Sequence, residues 1–419
     1  MLHWSVIKEH APIVKLLLEH GADTETIDNL GNTPVSLAIL GGNESVVRML
    51  LPRVVKSLEW CDKERRTMLH WSVMKGHAPI VELLLNHGAN FNCMDKLGNT
   101  PIWLAVSNDN ETIMELLLSH GAVTDWVDSH GRNVLHLAVT KGHDSVIERL
   151  LFHGVNEKLA KYPDVTSLWL AISKGHETTT QMLLSYGANI DGKDVNQRTL
   201  LHRAAAEGNE NAVRLLTLNG ADLEATDGDN TTPIWHACLK ARGKNLPFLL
   251  DQGANIEHRD KKGRTVLHLA VIEGREQTVK QLLSYGANLE CRDNDNLTPL
   301  WHAFLGQHDV IACLLIKLGA NIGQCDDQGR TPLHWAVINK CRLVVSELLA
   351  RRVGLETEDD QGRTPLHWAA MTGNLTITMS LLDAGANVKV KDAFRKMPIR
   401  YAKDLRDNPA IALLQRYAR

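Results

Sequence analysis

An all-α solenoid of about 13 helix-turn-helix repeats is the fold class this chain predicts, the first and last repeats incomplete and hairpin-like tips protruding between them. Three observations carry that expectation. The stretch Gly362-Arg363-Thr364-Pro365-Leu366-His367-Trp368-Ala369-Ala370 reads as a turn opening a short helix, and versions of it recur along the whole sequence. The slot of Thr364 falls 33 residues apart on Thr331, Thr298, Thr265, Thr232, Thr199, Thr166, Asn133, Thr100 and Thr67, with a further step of 34 to Thr33 and one of 33 forward to Met397. Each opening is followed by two apolar helical runs closed by a turn. The period overrides the two or three globular domains that 419 residues would otherwise suggest. It predicts a single array over 1–419, with repeats starting near 1, 33, 67, 100, 133, 166, 199, 232, 265, 298, 331, 364 and 397. At a helix spacing of roughly 8–10 Å, that array would be on the order of 100 Å long.

Repeat 67–99 shows the plan of one unit. Thr67 is placed to cap the first helix, because its hydroxyl accepts an unpaired N–H near the helix start. Leu69, Ser72 and Val73 face inward and the helix stops near Gly76. A second helix starts around Ala78-Pro79, where proline suits the first turn. It buries Ile80, Val81, Leu83, Leu84 and Leu85 and ends at Gly88, a left-handed cap. The chain then runs out to Asp95-Lys96-Leu97-Gly98, a turn-rich tip.

Three tips depart from this plan, at 51–60 with one extra residue, at 156–163 without the Asp-x-x-Gly turn, and at Arg351-Arg352-Val353-Gly354. They are places for the array to bend or bind. At the start, Met1-Leu2-His3-Trp4-Ser5-Val6 matches Met68-Leu69-His70-Trp71-Ser72-Val73, so the chain opens inside a repeat. Leu2, Val6, Ile13, Val14, Leu16, Leu17 and Leu18 lack the polar face of a capping repeat, and the expectation is a C-terminal part of a longer protein or a sequence begun at an internal Met, set against a true start with a frayed first repeat. Arg400, Lys403, Asp404, Arg406, Asp407, Arg416 and Arg419 make 397–419 polar, as a closing cap should be.

A second period of about 66 residues lies inside the first. The histidine slot holds His3, Ser36, His70, Trp103, His136, Trp169, His202, Trp235, His268, Trp301 and His334, until His367 breaks the alternation. Arg66, Arg132, Arg198, Arg264 and Arg330 stand before the histidine repeats. Duplication of a two-repeat block accounts for the pattern. An imidazole in this slot can hydrogen-bond neighbouring turns, whereas tryptophan adds apolar area and one N–H donor.

With its period near 33 and Thr-Pro-Leu-His opening each helix, the chain resembles the ankyrin-repeat family over nearly its whole length. That resemblance implies a protein-binding module with two contact zones, the exposed tips and the concave side presented by the first helices. Lysines recur two residues after Leu-His-x-Ala-x, as Lys8, Lys75, Lys141, Lys174 and Lys240; under the family geometry they form a discontinuous basic stripe. Such a stripe suits an acidic or phosphorylated peptide, and it also suits a plain solvated helix edge. Trp60 and Trp126 lie outside the repeated slots near tips, as candidate interface anchors or as packing against the adjacent repeat.

Composition bounds the rest. A net charge of −3 gives no broad basic excess for nucleic acid or anionic membranes. No apolar run of 18 residues and no secretory signal is apparent, and seven scattered cysteines without Cys-x-x-Cys read as reduced thiols, so a cytoplasmic monomer is expected. Twenty histidines invite a metal, yet they fall in repeated structural slots and no His-Glu-x-x-His occurs. Asp293-Asn294-Asp295-Asn296 begins like a calcium loop but continues with Leu297. No phosphate-binding loop or nucleophile elbow is present, so the expectation is a non-enzymatic scaffold without cofactors.

Two narrower readings stand beside it. Thr-Ser-Leu-Trp-Leu-Ala-Ile at 166–172, alternating with Thr-Leu-Leu-His-Arg-Ala-Ala at 199–205, is similar to the array of rabankyrin-type endosomal proteins. That family carries BTB and FYVE domains absent here, so the resemblance implies endosomal trafficking only for a parent protein or partner. The other is a substrate-recruiting ankyrin subunit of a ubiquitin ligase.

Overall fold

The chain is described by a computed structural model in all residues except 55–57, 59, 129, 156–165, 240–244 and 419. The described residues form 26 α-helices, two to a repeat, with one 3-10 turn at Leu51–Arg53 and no extended strand. They divide into two compact units, Met1–Val195 and Asn196–Arg419.

The plan of repeat 67–99 holds in detail. Its helices are Met68–Met74 and Ala78–Asn86, with the Thr67 side chain accepting from the His70 amide. Leu69, Ser72, Val73, Ile80, Val81, Leu84 and Leu85 are buried, while Leu83 is only half-buried. Gly88 takes a φ of +84°, the left-handed region glycine reaches without a Cβ clash. Within each unit successive first helices stack on one another, and a small residue at a fixed slot is fully buried, Ala105 and Ala138 in one unit, Ala204 and Ala336 in the other. Ser72 fills that slot too, its hydroxyl satisfied by donating to the Leu69 carbonyl at 2.9 Å.

Of the three departing tips, 156–163 lies outside the described residues, as does part of the first. In the third, Arg352 stands at a φ of +55° where other repeats use glycine. At the chain's start, Leu2, Val6, Val14 and Leu18 are buried whereas Trp4, Ile7, Ile13 and Leu16 are exposed.

Candidate protein-binding surface

Tips position this surface, and in several of the described tips one aspartate organises the turn. Asp326 is representative. Its Oδ1 accepts the amides of Gln328 and Arg330, closing the turn, and its Oδ2 accepts from the Arg330 guanidinium at 2.7 Å and the Trp335 indole at 2.9 Å. The arginine also covers the tryptophan, 4.5 Å from the ring centroid. Arg66 over Trp71 and Arg363 over Trp368 repeat the arrangement. Where no arginine precedes the threonine, other side chains take over: His236 meets Asp227 at 3.0 Å and His302 meets Asp293 at 2.7 Å, while Asn32, Asn99 and Tyr401 donate to Asp28, Asp95 and Asp392. The turn that began like a calcium loop is therefore a tip of this kind, with the Asp293 oxygens taken by Asp295, Leu297 and His302.

Where the slot holds histidine, it ties its repeat to the next. The Thr331 amide donates to Nδ1 of His334 at 3.1 Å, and on the other side of the ring Nε2 lies 3.0 Å from the Arg363 carbonyl. Because an amide can only donate, Nδ1 must accept, so the proton sits on Nε2 and is given to that carbonyl. His70, His202, His268 and His367 do the same with the carbonyls of Asn99, Thr231, Leu297 and Lys396. Burial holds His70, His334 and His367 below the ordinary imidazole range and pushes His268 down to about 4. Burial works the other way on Asp227, but the Thr231 amide and hydroxyl, His236 and the Asp229 amide outweigh it and bring its carboxyl to about 2.

This tautomer decides one metal question. His202, Asp227 and His236 are buried with ligating atoms within 4.8 Å of one another. A metal on Nε2 of His202 would need a lone pair there, and hence a proton on Nδ1 facing the Thr199 amide at 3.1 Å. These three residues do not fit a metal. They form a hydrogen-bond network, the two imidazoles edge to face at 5.3 Å.

Lys8, Lys75, Lys141 and Lys174 are all exposed at the C-terminal ends of first helices, and Lys240 lies outside the described residues. Among the described residues none of the four pairs with a carboxylate, and Lys174 donates to the Thr140 carbonyl at 2.8 Å. A cation at a helix C-terminus also complements the helix dipole. Trp60 is half-buried and donates to the Gly31 carbonyl at 2.7 Å. Trp126 is half-buried as well, edge to face with Trp103 at 5.5 Å and against Gly98, where an added Cβ would meet its ring at 3.3 Å.

Trp126 thus presses on the glycine of one Leu-Gly turn, and Trp60 reaches the corresponding Gly31 through its carbonyl. The neighbouring leucines, Leu30 and Leu97, are both 84% exposed, and sequence reasoning passed over them. The signal was there: an apolar residue at a tip slot that elsewhere holds Glu64, His130, Lys262 or Gln328.

Comparison with known proteins adds the family. The family model described as ankyrin repeats (3 copies) matches residues 2–95, 69–162, 156–227, 218–293, 234–324 and 306–392. An ankyrin repeat protein of Rickettsia bellii is 34% identical over 94 residues, 22% of this chain and 52% of its own length. One from fowlpox virus is 33% identical over 105 residues, 25% of this chain and 72% of its own. An E3 ubiquitin-protein ligase of Arabidopsis thaliana is 37% identical over 106 residues, 24% of this chain but 19% of its own. The matched stretch therefore spans about half of the first relative and under a fifth of the ligase. Among solved structures, the ankyrin repeat domain of Bcl-3 aligns with 29% identity and a TM-score of 0.46, over 52% of this chain and 98% of that one.

Proposed function

The chain belongs to the ankyrin-repeat family, and on that premise we propose that it is a non-enzymatic scaffold binding partner proteins through the ends of its first helices and its tips. The observation that carries this reading is the row of exposed lysines, Lys8, Lys75, Lys141 and Lys174, unpaired with any carboxylate among the described residues. Lys240 continues the row in sequence. The partner segment is acidic or phosphorylated, since ammonium groups at helix ends favour carboxylate and phosphate oxygens. Leu30 and Leu97 supply apolar contacts from the tips whose glycines Trp60 and Trp126 touch, one through a carbonyl hydrogen bond and the other by packing. Because tips and helices are fixed before binding, little ordering entropy opposes association. Seven unbridged cysteines support a cytoplasmic setting for a monomer, and no described helix is long and apolar enough to cross a membrane.

The likeness to a plant E3 ubiquitin-protein ligase favours one second reading, in which the array recruits substrates to a ligase. Affinity capture from cells, followed by mass spectrometry, tests both. Partners that are lost when Lys75, Lys141 and Lys174 are all changed to Glu, with the melting temperature unchanged, support the lysine surface. Ligase subunits among them favour recruitment, and Rab or sorting proteins would favour an endosomal role. An unchanged partner set with the triple variant removes the lysine surface from the account.

A further inference from the structure

We propose that Cys61 and Cys93 are a thiol-oxidation site, closing reversibly into a disulfide that links two successive tips when a peroxide is present. Cys61 is paired across its own tip with Thr67 in an antiparallel bridge, beside which the Asp62 amide donates to the Arg66 carbonyl at 3.0 Å. Directly opposed residues of such a pair hold their Cβ atoms about 4.5–5.5 Å apart. From the following tip, the Cys93 sulfur reaches to 3.6 Å from the same Thr67 hydroxyl. The two cysteines therefore approach one threonine from successive tips. Their register agrees with this: Cys93 follows Cys61 by the same spacing that separates Lys96 from Glu64, and the Lys96 amide donates to the Glu64 carbonyl at 2.9 Å.

The two thiols differ in the way a two-step oxidation requires. Cys61 is exposed and open to an oxidant. Cys93 is half-buried, donating to the Asn90 carbonyl at 3.0 Å, and burial raises its thiol above the ordinary range. The Cys61 thiolate attacks one peroxide oxygen, the O–O bond breaks, and a sulfenic acid and water result. The Cys93 sulfur then attacks the Cys61 sulfur, forming the S–S bond; the hydroxide expelled takes the Cys93 proton and leaves as water. Two thiols lose two electrons and two protons, and one peroxide becomes two waters. A thiol reductant reverses the bond.

The chain carries its own comparison. Cys291 occupies the slot of Cys93, 3.3 Å from the hydroxyl of Thr265, but the residue in the place of Cys61 is Arg259. The full chain is treated with hydrogen peroxide under native conditions, alkylated and digested for mass spectrometry. Expected is a cross-linked peptide pair carrying Cys61 and Cys93, abolished by dithiothreitol and absent from Cys61→Ser, while Cys291 remains alkylated as a thiol. The oxidised wild type should also melt at a higher temperature than the reduced form, with no such difference in Cys61→Ser. Recovery of Cys93 as a thiol while Cys61 is over-oxidised or bridged between chains would overturn the proposal. So would a cross-link that forms only after unfolding in urea.

Discussion

At the residue scale the buried histidines set the stability of the stack. His334 accepts a hydrogen bond from one repeat's amide and donates one to the next repeat's carbonyl, and a second proton on Nδ1 would oppose the Thr331 amide. Replacing it with Phe keeps apolar volume but strands both groups, at about 1–3 kcal/mol for each unsatisfied buried group. Urea unfolding of His334→Phe measures it. The pH response follows from the same geometry. His268 has a folded pKa of about 4 against an ordinary 6.5, so its contribution is complete above pH 6.5 and is lost as pH falls towards 4. Asp227, at about 2 against 3.8, contributes fully above pH 3.8 and loses that contribution only below it. The urea midpoint should therefore fall in two stages, and His268→Phe should shrink the first without removing it, because His70, His334 and His367 are lowered in the same direction.

Along a single element, the sequence made the helices and their caps readable because each local signal repeats. Thr67, Pro79 and Gly88 stand where capping chemistry places them. The tips were less legible. The role of Asp326 depends on Trp335, nine residues on and in a helix, and no local pattern announces that contact. Nor did the alternation of histidine with tryptophan disclose that His236 would bond Asp227, alongside Arg198 from the preceding tip. A further ladder emerges only in three dimensions: the amides of Asn255, Asn288, Asn321 and Asn387 donate to Glu224, Glu257, Glu290 and Glu356 of the preceding tips. Gly323 stands in the glutamate slot between Glu290 and Glu356 and has no side chain to offer. Gly323→Glu should restore the missing rung to the Gly354 amide and stabilise by about 0.5–1.5 kcal/mol. Slower amide exchange at residue 354, with a raised urea midpoint, is the expected reading.

For the molecule as a whole, the residues most often repeated are those least free to recognise a partner. Histidine, threonine, aspartate and alanine slots are consumed by stacking, as the zero exposure of His70, Ala105 and His334 illustrates. What differs from repeat to repeat is left for recognition, and in the unit Met1–Val195 that means lysines at helix ends and leucines at tips. The lysine spacing was visible in the sequence. The leucines became visible only once Trp60 was seen hydrogen-bonded to the carbonyl of Gly31 and Trp126 packed against Gly98, since exposure cannot be read from residue type. Hydrogen exchange of the chain with and without a captured acidic partner tests the account's central claim most directly. Protection gathered at the helix ends around 75, 141 and 174 and at the tips of Leu30 and Leu97, and lost in the triple lysine-to-glutamate variant, is the predicted result. Protection confined to the second helices, unchanged in that variant, would contradict it.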